Sequence, residues 1–249
     1  MLYSYFDGNL SGAIVLDEDE SRHLISVRRG RAGDSVTVLD GKGGSALSRI
    51  EEARPHRAVL RVESVRCASR ATSPLWLAQA MPLGKTMETI VQKAAELGAE
   101  RVIPLFTERS ELRLDAERAQ RRLARWRQGA VEAVKQCGNP FLPRIDPPTG
   151  IAELLALPLP GARMVCSLES GARPFLEALM QTGTTGGLLL AIGPEGDFSE
   201  KEYAALRNSG FVPVSLGPLV LRSDTAATAS LAIASEAMRF AACSLCDKV

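Results

Sequence analysis

Two short glycine-containing segments late in the chain are the best candidates for a ligand site. The first, Gly193-Pro-Glu-Gly196, follows an apolar run at residues 188–192 and precedes a predicted helix. The second, at residues 214–227, also passes from a predicted strand through a glycine, Gly217, to the start of a helix. Either segment alone is more simply explained as a plain turn. Because glycines at the carboxyl ends of parallel strands let a ligand approach the backbone, the pair predicts one cleft lined by backbone groups.

Two charged side chains in these segments could do chemistry, Arg222 and Glu195. Arg222 is the one cation within residues 214–227, and its planar guanidinium could stabilise negative charge on a substrate carbonyl. An equally good interpretation makes Arg222 a clamp on a loop carbonyl or on a ligand carboxylate. Glu195 could accept a proton, although we favour a structural role in which it holds its own loop.

The composition excludes several classes of protein. The chain has 249 residues, of which 45% are hydrophobic and 24% are charged, and its net charge is +1. These values are typical of a globular protein and not of a disordered, collagen-like or disulfide-rich chain. The sequence contains no run of 18 apolar residues and no recognisable signal peptide, and its five cysteines are scattered. We therefore expect a cytoplasmic protein without membrane contact.

The two histidines, His23 and His56, limit the chemistry further. Both lie in arginine-rich surroundings in the first quarter of the chain, and neither stands beside an obvious nucleophile. We therefore expect neither a Ser-His-Asp hydrolase nor a bound metal.

The elements that must position these residues fall into two regions, which we expect to be separate domains. Residues 1–70 contain short β-type segments separated by turns, which predict a small β-barrel. A helix is expected at residues 22–29, capped by Asp19 or Ser21. The predicted strands of this region are 13–16, 35–39, 46–50 and 58–65.

Residues 74–249 follow a polar linker and alternate strands with helices, which is typical of a parallel sheet covered on both faces. Ser199 and Glu202 predict a capping box at the start of one helix, and Ser223 or Asp224 is expected to cap the last helix. The predicted strands are 75–81, 101–106, 164–168, 187–192 and 212–216, and the predicted helices are 85–97, 115–136, 199–208 and 224–245.

The near-neutral net charge conceals basic segments. Residues 109–144 carry nine Lys or Arg against four Asp or Glu, and residues 22–31 form a second basic cluster. Such surfaces suit a polyanion such as RNA, although a basic patch taken alone is more often a solvated surface.

The two glycine segments resemble motifs of the SPOUT methyltransferases, and the chain is most similar to their RsmE family of 16S ribosomal RNA uridine-N3 methyltransferases. The motifs are Gly193-Pro-Glu-Gly196 followed by Phe-Ser, and Leu216-Gly-Pro followed by Val-Leu-Arg222 and Thr225-Ala226. The similarity extends along most of the chain. It includes Gln92-Lys-Ala-Ala-Glu-Leu-Gly98, Pro104-Leu-Phe-Thr-Glu-Arg-Ser110 and Arg22-His-Leu24.

The resemblance implies a fold, a cofactor and a substrate. Residues 74–249 would form an α/β domain with a parallel sheet and a C-terminal trefoil knot, and residues 1–70 a PUA-like β-barrel that binds RNA. S-adenosyl-L-methionine (SAM) would bind in the knot, and the enzyme would be a homodimer through its C-terminal domain. The substrate would be a uridine of 16S ribosomal RNA in the small ribosomal subunit. Because uracil N3 attacks the methyl group directly, no cysteine nucleophile would be needed.

The resemblance also implies roles for individual residues. Arg222 and Glu195 would be the catalytic residues. The cofactor would be bound by Leu168, Ile192, Gly193, Pro194, Gly196, Leu216, Gly217, Pro218, Leu221, Ser223, Thr225 and Ala226. The RNA would be held by Arg22, Arg28, Arg29, Lys85, Lys93, Arg121 and Arg125.

Five residues depart from the family pattern. Asp197 replaces the last glycine of a GPEGG motif, Leu219 replaces an arginine, and Asp224 replaces a glutamate conservatively. Lys135 and Asn139 replace an acidic residue and an arginine. The changes at Leu219 and Lys135 concern the substrate side of the site more than the cofactor side. A SPOUT enzyme that acts on tRNA or on a ribose hydroxyl therefore stays an alternative, as does an RNA-binding protein without catalysis. A Rossmann-type enzyme is disfavoured because no GxGxxG motif follows an early strand.

Overall fold

The computed structural model describes residues 2–110 and 115–246, and at residues 116 and 242–246 it describes the backbone only. The chain divides into two compact units. The first contains residues 1–70 together with residues 131–142, and the second contains residues 71–130 and 143–249. The inclusion of residues 131–142 in the first unit differs from the contiguous regions expected from the sequence. No helix in the described part of the chain is both long enough and apolar enough to cross a membrane.

The first unit is built on a five-stranded sheet of order β1-β3-β4-β5-β2. Its long hairpin, β4 and β5, is antiparallel and carries two register shifts, whereas β1 pairs with β3 in parallel. Alternate residues of the strands point into a core that contains Ile14, Val36, Val38 and Leu60. The strands are β1 (Tyr3–Tyr5), β2 (Ala13–Val15), β3 (Ser35–Leu39), β4 (Gly44–Arg54) and β5 (Arg57–Cys67).

The helix of the first unit begins earlier than predicted. Helix α1 spans Glu18–Arg22, and the Asp17 side chain caps it by accepting a hydrogen bond from the Glu20 N–H. The expected caps, Asp19 and Ser21, are therefore wrong. Ser21 is buried, and its hydroxyl donates to the Leu16 carbonyl and accepts from the Ala58 N–H. A π-helical turn follows α1 at His23–Val27.

A buried ion pair joins residues 131–142 to the rest of the first unit. Lys135 lies near the end of helix α3 (Ala116–Cys137), and its Nζ is 2.5 Å from Glu20 Oε1 and 2.7 Å from Glu132 Oε1. The other oxygen of Glu20 accepts hydrogen bonds from the Ser4 hydroxyl at 2.7 Å and the Tyr5 N–H at 3.0 Å. Lys135 and Glu20 are both more than nine-tenths buried. Lys135 therefore has a structural role and does not face a substrate.

The second unit contains a seven-stranded sheet of order β10-β12-β9-β11-β6-β7-β8, in which every pair of neighbours is parallel. The central strand β11 is buried along its whole length, because helices cover both faces of the sheet. The strands are β6 (Leu75–Ala80), β7 (Arg101–Leu105), β8 (Arg144–Ile145), β9 (Ala162–Cys166), β10 (Arg173–Pro174), β11 (Leu188–Ile192) and β12 (Val212–Ser215).

The remaining helices of the second unit are α2 (Thr86–Glu96), α4 (Ile151–Leu155), α5 (Phe175–Thr182), α6 (Glu200–Asn208) and α7 (Ser223–Cys246). Helices α4 and α6 pack on a core that contains Leu189 and Phe198. After β12 the chain returns through residues 216–222 to α7, which packs against β6, β11 and α2. The short elements β8, β10, α4 and α5 were not expected from the sequence.

The Lys135–Glu20 pair gives a stability prediction. Replacement of Lys135 by alanine leaves the Glu20 carboxylate buried without its counter-ion, so we expect a loss of about 3 kcal/mol in the free energy of unfolding. Urea unfolding measures this loss. Lys42→Ala removes an exposed ion pair to Asp7 in the same unit and should change the midpoint little. Equal shifts in the two variants would contradict the structural role of Lys135.

Candidate functional site

The strand order of the second unit brings three loops together. Strands β12, β9 and β11 are neighbours, so their carboxyl ends, at Ser215, Cys166 and Ile192, meet at one edge of the sheet. The loops that follow these strands line a cavity of about 280 Å³. This edge is where open parallel sheets bind ligands.

Most of the cofactor residues expected from the sequence line this cavity. Gly196, Pro218 and Thr225 do not line it. Those that do are Leu168, Ile192, Gly193, Pro194, Leu216, Gly217, Leu221, Ser223 and Ala226, and they are joined by Glu195 and Arg222. The sequence analysis missed six further lining residues: Cys166, Ser167, Asp197, Ser215, Leu219 and Val220.

A larger cavity of about 720 Å³ lies elsewhere on the second unit, between the loop after β7 and helices α4 and α6. None of the residues expected to bind cofactor or to act in catalysis lines it. The smaller cavity is the better site because it combines glycine-containing loops, a helix start and charged side chains.

The first glycine loop is a tight turn that closes on Asp197. The Asp197 N–H donates to the Pro194 carbonyl at 2.9 Å, and Asp197 has a φ of +62°. Glycine adopts this left-handed conformation most readily, and aspartate is one of the few other residues that tolerate it. The Asp197 carboxylate accepts hydrogen bonds from the Phe198 N–H at 2.8 Å and from the Tyr203 hydroxyl at 2.7 Å. Burial raises the pKa of Tyr203, which keeps its hydroxyl protonated as the donor.

Gly193 packs directly beneath the Asp197 carboxylate. A Cβ added at Gly193 would lie 3.1 Å from Asp197 Oδ1 and 3.3 Å from the Phe198 ring. A side chain at Gly193 would therefore crowd the Asp197 carboxylate and the Phe198 ring, each of which would have to shift by a few tenths of an ångström. In this respect Gly193 differs from Gly217, where an added Cβ would meet no atom within 4 Å.

Side chains from neighbouring elements fix the first loop. Arg109 donates to the Gly196 carbonyl at 2.9 Å and to the Phe198 carbonyl at 3.3 Å. The predicted capping box is present, since the Ser199 side chain accepts from the Glu202 N–H and the Glu202 carboxylate accepts from the Ser199 N–H. The second oxygen of Glu202 accepts from the Glu108 N–H at 2.9 Å. The sequence analysis did not assign Arg109, which acts through backbone carbonyls.

Glu195 extends from this loop as an exposed side chain. Its Oε1 accepts a hydrogen bond from the Leu83 N–H at 3.4 Å, which is long for such a bond. A contact of this length does little to hold the loop, so the carboxylate remains accessible at the cavity wall.

The second glycine loop is more exposed than the first. Gly217 has a φ of +131°, and the Leu219 and Val220 side chains are 74% and 77% exposed. Arg222 is 82% exposed, and its Nε lies 3.7 Å from Asp224 Oδ1. The Arg222 guanidinium is thus held weakly and can reach a ligand in the cavity.

Helix α7 begins at Ser223, one residue earlier than predicted. Ser223 and Asp224 therefore lie in the first turn of the helix. The prediction that one of them is its N-cap is wrong. The carbonyl of Arg222 accepts the Ala226 N–H at 2.8 Å, and Asp224 Oδ1 accepts the Thr225 N–H at 2.9 Å. Since the amino end of a helix presents unpaired N–H groups, this helix start suits the polar atoms of a ligand.

The residues expected to bind RNA differ in how free their charges are. Arg28, Arg29 and Lys85 are exposed and make no ion pair within the described residues. The other four are paired with acidic side chains: Arg22 with Glu18, Lys93 with Glu96, Arg121 with Glu117 and Arg125 with Glu88. The first three are the better candidates for phosphate contacts.

No group of three His, Cys, Asp or Glu side chains that could hold a metal ion occurs among residues 2–110 and 115–246.

Comparison with known proteins gives consistent matches along the chain. A family model described as an RNA methyltransferase domain matches residues 69–235, and one described as an RNA methyltransferase PUA domain matches residues 16–63. Ribosomal RNA small subunit methyltransferase E of Synechocystis sp. is 32% identical over 225 residues, which are 90% of this chain and 73% of that protein.

Two solved structures are similar over nearly the whole chain. A Legionella pneumophila protein, in complex with the bound cofactor SAM, has a TM-score of 0.87 at 28% identity and covers 95% of this chain and 97% of its own. Ribosomal RNA small subunit methyltransferase E from Neisseria gonorrhoeae, bound to S-adenosyl methionine, has a TM-score of 0.83 at 29% identity. The match covers 93% of this chain and 95% of that chain. The chain therefore belongs to the RNA methyltransferase family, with a PUA-like N-terminal domain followed by a SPOUT trefoil-knot domain.

Proposed function

We propose that this protein transfers the methyl group of SAM to N3 of a uridine in the 16S ribosomal RNA of the small subunit. The observation that carries the proposal is the cavity at the ends of β9, β11 and β12, with Arg222 and Glu195 on its wall. Residues 74–249 would bind the cofactor and catalyse the transfer, and residues 1–70 would bind RNA. The names of the relatives support ribosomal RNA of the small subunit as the substrate.

The residues of the cavity fit SAM. Its volume of about 280 Å³ is close to the lower end of the range for small-molecule sites. Leu168, Ile192 and Leu221 supply an apolar wall for an adenine ring. The glycine loops and the start of α7 supply backbone groups for polar atoms, and the open space beside Gly217 leaves room for the ligand.

When bound, SAM supplies a methyl group on a positively charged sulfonium, ready for displacement by a nucleophile. The protein must then align uracil N3 with that methyl group and accept the N3 proton. We assign proton acceptance to the Glu195 carboxylate, which is accessible and weakly bonded. Arg222 would donate to a uracil carbonyl oxygen and stabilise the negative charge that develops on the ring.

The position of N3 also restricts the RNA. N3 lies on the Watson–Crick edge, so the target uridine must be unpaired and turned into the cavity. Phosphates of the RNA would be held by exposed cations, of which Arg28, Arg29 and Lys85 are free of acidic partners within the described residues.

The proposal includes a homodimer formed through the second unit and a cytoplasmic location. Helix α5, which packs beside α7, exposes Leu176 at 55% and Met180 at 60%, and such side chains suit an interface between subunits. Sedimentation equilibrium measures the oligomeric state, and a monomer at micromolar concentration would contradict the dimer.

One experiment tests the function directly. The protein is incubated with SAM and with small ribosomal subunits that lack the modification, and the RNA is digested and analysed by mass spectrometry. We expect one new 3-methyluridine in 16S RNA. A methyl group on tRNA or on a ribose would support another SPOUT activity, and an RNA complex without SAM affinity would support a non-catalytic binding protein.

Arg222 should contribute to catalysis more than to cofactor binding. Because its interaction with the uracil carbonyl is strongest in the transition state, Arg222→Ala should lower the single-turnover rate by about a hundredfold. Arg222→Lys should recover part of the rate, since it restores charge but not the planar guanidinium. SAM affinity measured by calorimetry without RNA should stay unchanged. A loss of affinity in proportion to rate would make Arg222 a cofactor clamp.

Arg28 and Arg29, which directly follow the π-helical turn, should bind RNA through its phosphates. Arg28→Ala combined with Arg29→Ala should weaken RNA binding and reduce its dependence on salt concentration, with SAM affinity unchanged. Arg57→Ala combined with Arg61→Ala is a matched control on the same unit, because these arginines already pair with Glu52 and Glu51. Filter-binding titrations between low and moderate salt measure the slopes. Equal slopes for the wild type and the first variant would exclude phosphate contacts.

The Cys166 thiol should be unreactive although it lines the cavity. Burial raises its pKa to about 12, so at pH 8 on the order of one thiol in ten thousand is the reactive thiolate. Iodoacetamide at pH 8 should modify the exposed Cys67 and Cys137 and leave Cys166 intact until the protein is unfolded. Peptide mass spectrometry gives the modified sites. Rapid modification of Cys166 in the folded protein would reopen the possibility of a cysteine nucleophile.

A further inference from the structure

Asp197 is one of the two acidic residues that line the cavity among the described residues, the other being Glu195. We propose that the Asp197 carboxylate recognises the positive charge of the cofactor, so that the site binds sulfonium SAM in preference to its neutral product, S-adenosylhomocysteine. This inference rests on the proposed function and adds to it a residue that determines ligand preference.

The local structure holds the carboxylate in one orientation. The Asp197 N–H bonds to the Pro194 carbonyl, and Asp197 Oδ1 accepts from both the Phe198 N–H and the Tyr203 hydroxyl. These contacts occupy one carboxylate oxygen, and no partner of the other oxygen occurs within the described residues. Asp197 is half-buried and lines the cavity, and its bonded oxygen Oδ1 is held in place by these two contacts.

No cation of the described residues neutralises this carboxylate. Arg109, from the segment after β7, bonds to the carbonyls of Gly196 and Phe198 on either side of Asp197 and not to the Asp197 side chain. Tyr203 is the side chain that does bond to the Asp197 carboxylate, and it is neutral, because burial raises the pKa of its hydroxyl. A half-buried carboxylate without a counter-ion favours a ligand that brings a positive charge.

The other charges of the cavity lead to the same preference. Glu195 is a second acid on the wall, and Arg222 is the cation, but Arg222 is mostly exposed and lies near Asp224. SAM carries a positive sulfonium, which becomes an uncharged thioether when the methyl group leaves for N3 and the N3 proton goes to the base. The attraction between the cofactor and Asp197 therefore disappears with the transfer, which favours release of the product.

A purely structural role for Asp197 makes a different prediction. In that case the carboxylate caps its loop, and its replacement disturbs every ligand of the site alike. Asp197→Asn separates the two roles, because the amide oxygen can still accept from Phe198 and Tyr203 while the charge is lost.

The experiment compares three ligands by isothermal titration calorimetry of the full chain. They are SAM, S-adenosylhomocysteine and sinefungin, an analogue with an ammonium group in place of the methylsulfonium. We expect Asp197→Asn to lower the affinity for SAM and for sinefungin by about fivefold to tenfold. The affinity for S-adenosylhomocysteine should stay unchanged. Asp197→Gly, which restores the usual family residue and suits the positive φ, should show the same loss of preference.

Tyr203→Phe is the matched control, because it removes a hydrogen bond to Asp197 Oδ1 without changing the charge. It should shift the affinities for all three ligands by the same factor. An unchanged ratio of SAM to S-adenosylhomocysteine affinity in Asp197→Asn would overturn the inference. If the wild-type protein bound none of the three ligands, the proposed function itself would be wrong.

Discussion

The site depends on one constraint, the parallel direction of all seven strands in the second unit. Because parallel neighbours end at the same edge, loops that lie 20 to 50 residues apart in the sequence meet when β12, β9 and β11 are adjacent. The register is fixed by backbone hydrogen bonds that continue to the edge of the cavity, such as that from the Ser167 N–H to the Val214 carbonyl at 2.9 Å. The cavity wall is thus built largely of main chain, whose position does not depend on rotamers.

The sequence predicts the elements that have strong local signals. The apolar runs of β6, β11 and β12 and the capping box at Ser199 appear where the pattern placed them, and β9 lies two residues earlier than predicted. The strands β8 and β10 are two residues long and exist because a neighbouring strand pairs with them, so no local pattern marks them. Likewise α1 begins at Glu18 because Asp17 is free to cap, whereas Ser21 is committed to buried bonds.

In the site, too, the sequence predicts only the parts that carry a local signal. The two glycine loops were predictable because glycine and proline mark turns, and residues 192–197 and 215–226 do meet. The third loop, at Cys166 and Ser167, has no such signal, and only Leu168 was assigned there. Arg109 could not be recognised because it bonds to carbonyls of residues more than 80 positions away.

Two of the departures from the family pattern are explained by their surroundings. Lys135 is neutralised by Glu20 and Glu132, and Asp197 adopts a left-handed backbone with its carboxylate held by Phe198 and Tyr203. The partner Glu20 lies 115 residues from Lys135, so this pairing could not be derived from the motif, whereas Asp197 is held by residues of its own segment. Nothing in the structure explains the leucine at position 219, which is exposed.

The two glycine loops of the cavity differ in how firmly they are held, and this difference affects how methyl transfer would proceed. The first loop is fixed by Arg109, Asp197 and the capping box, while the second presents Val220 and Arg222 to solvent. A rigid wall suits the part of the site that holds a cofactor, since ordering costs little there when the ligand binds. The exposed loop would lose conformational freedom when RNA arrives, and the free energy of RNA binding must offset that loss. Arg222 would therefore reach its working position together with the substrate uridine, and the chemistry would depend on the RNA that the exposed arginines help to hold.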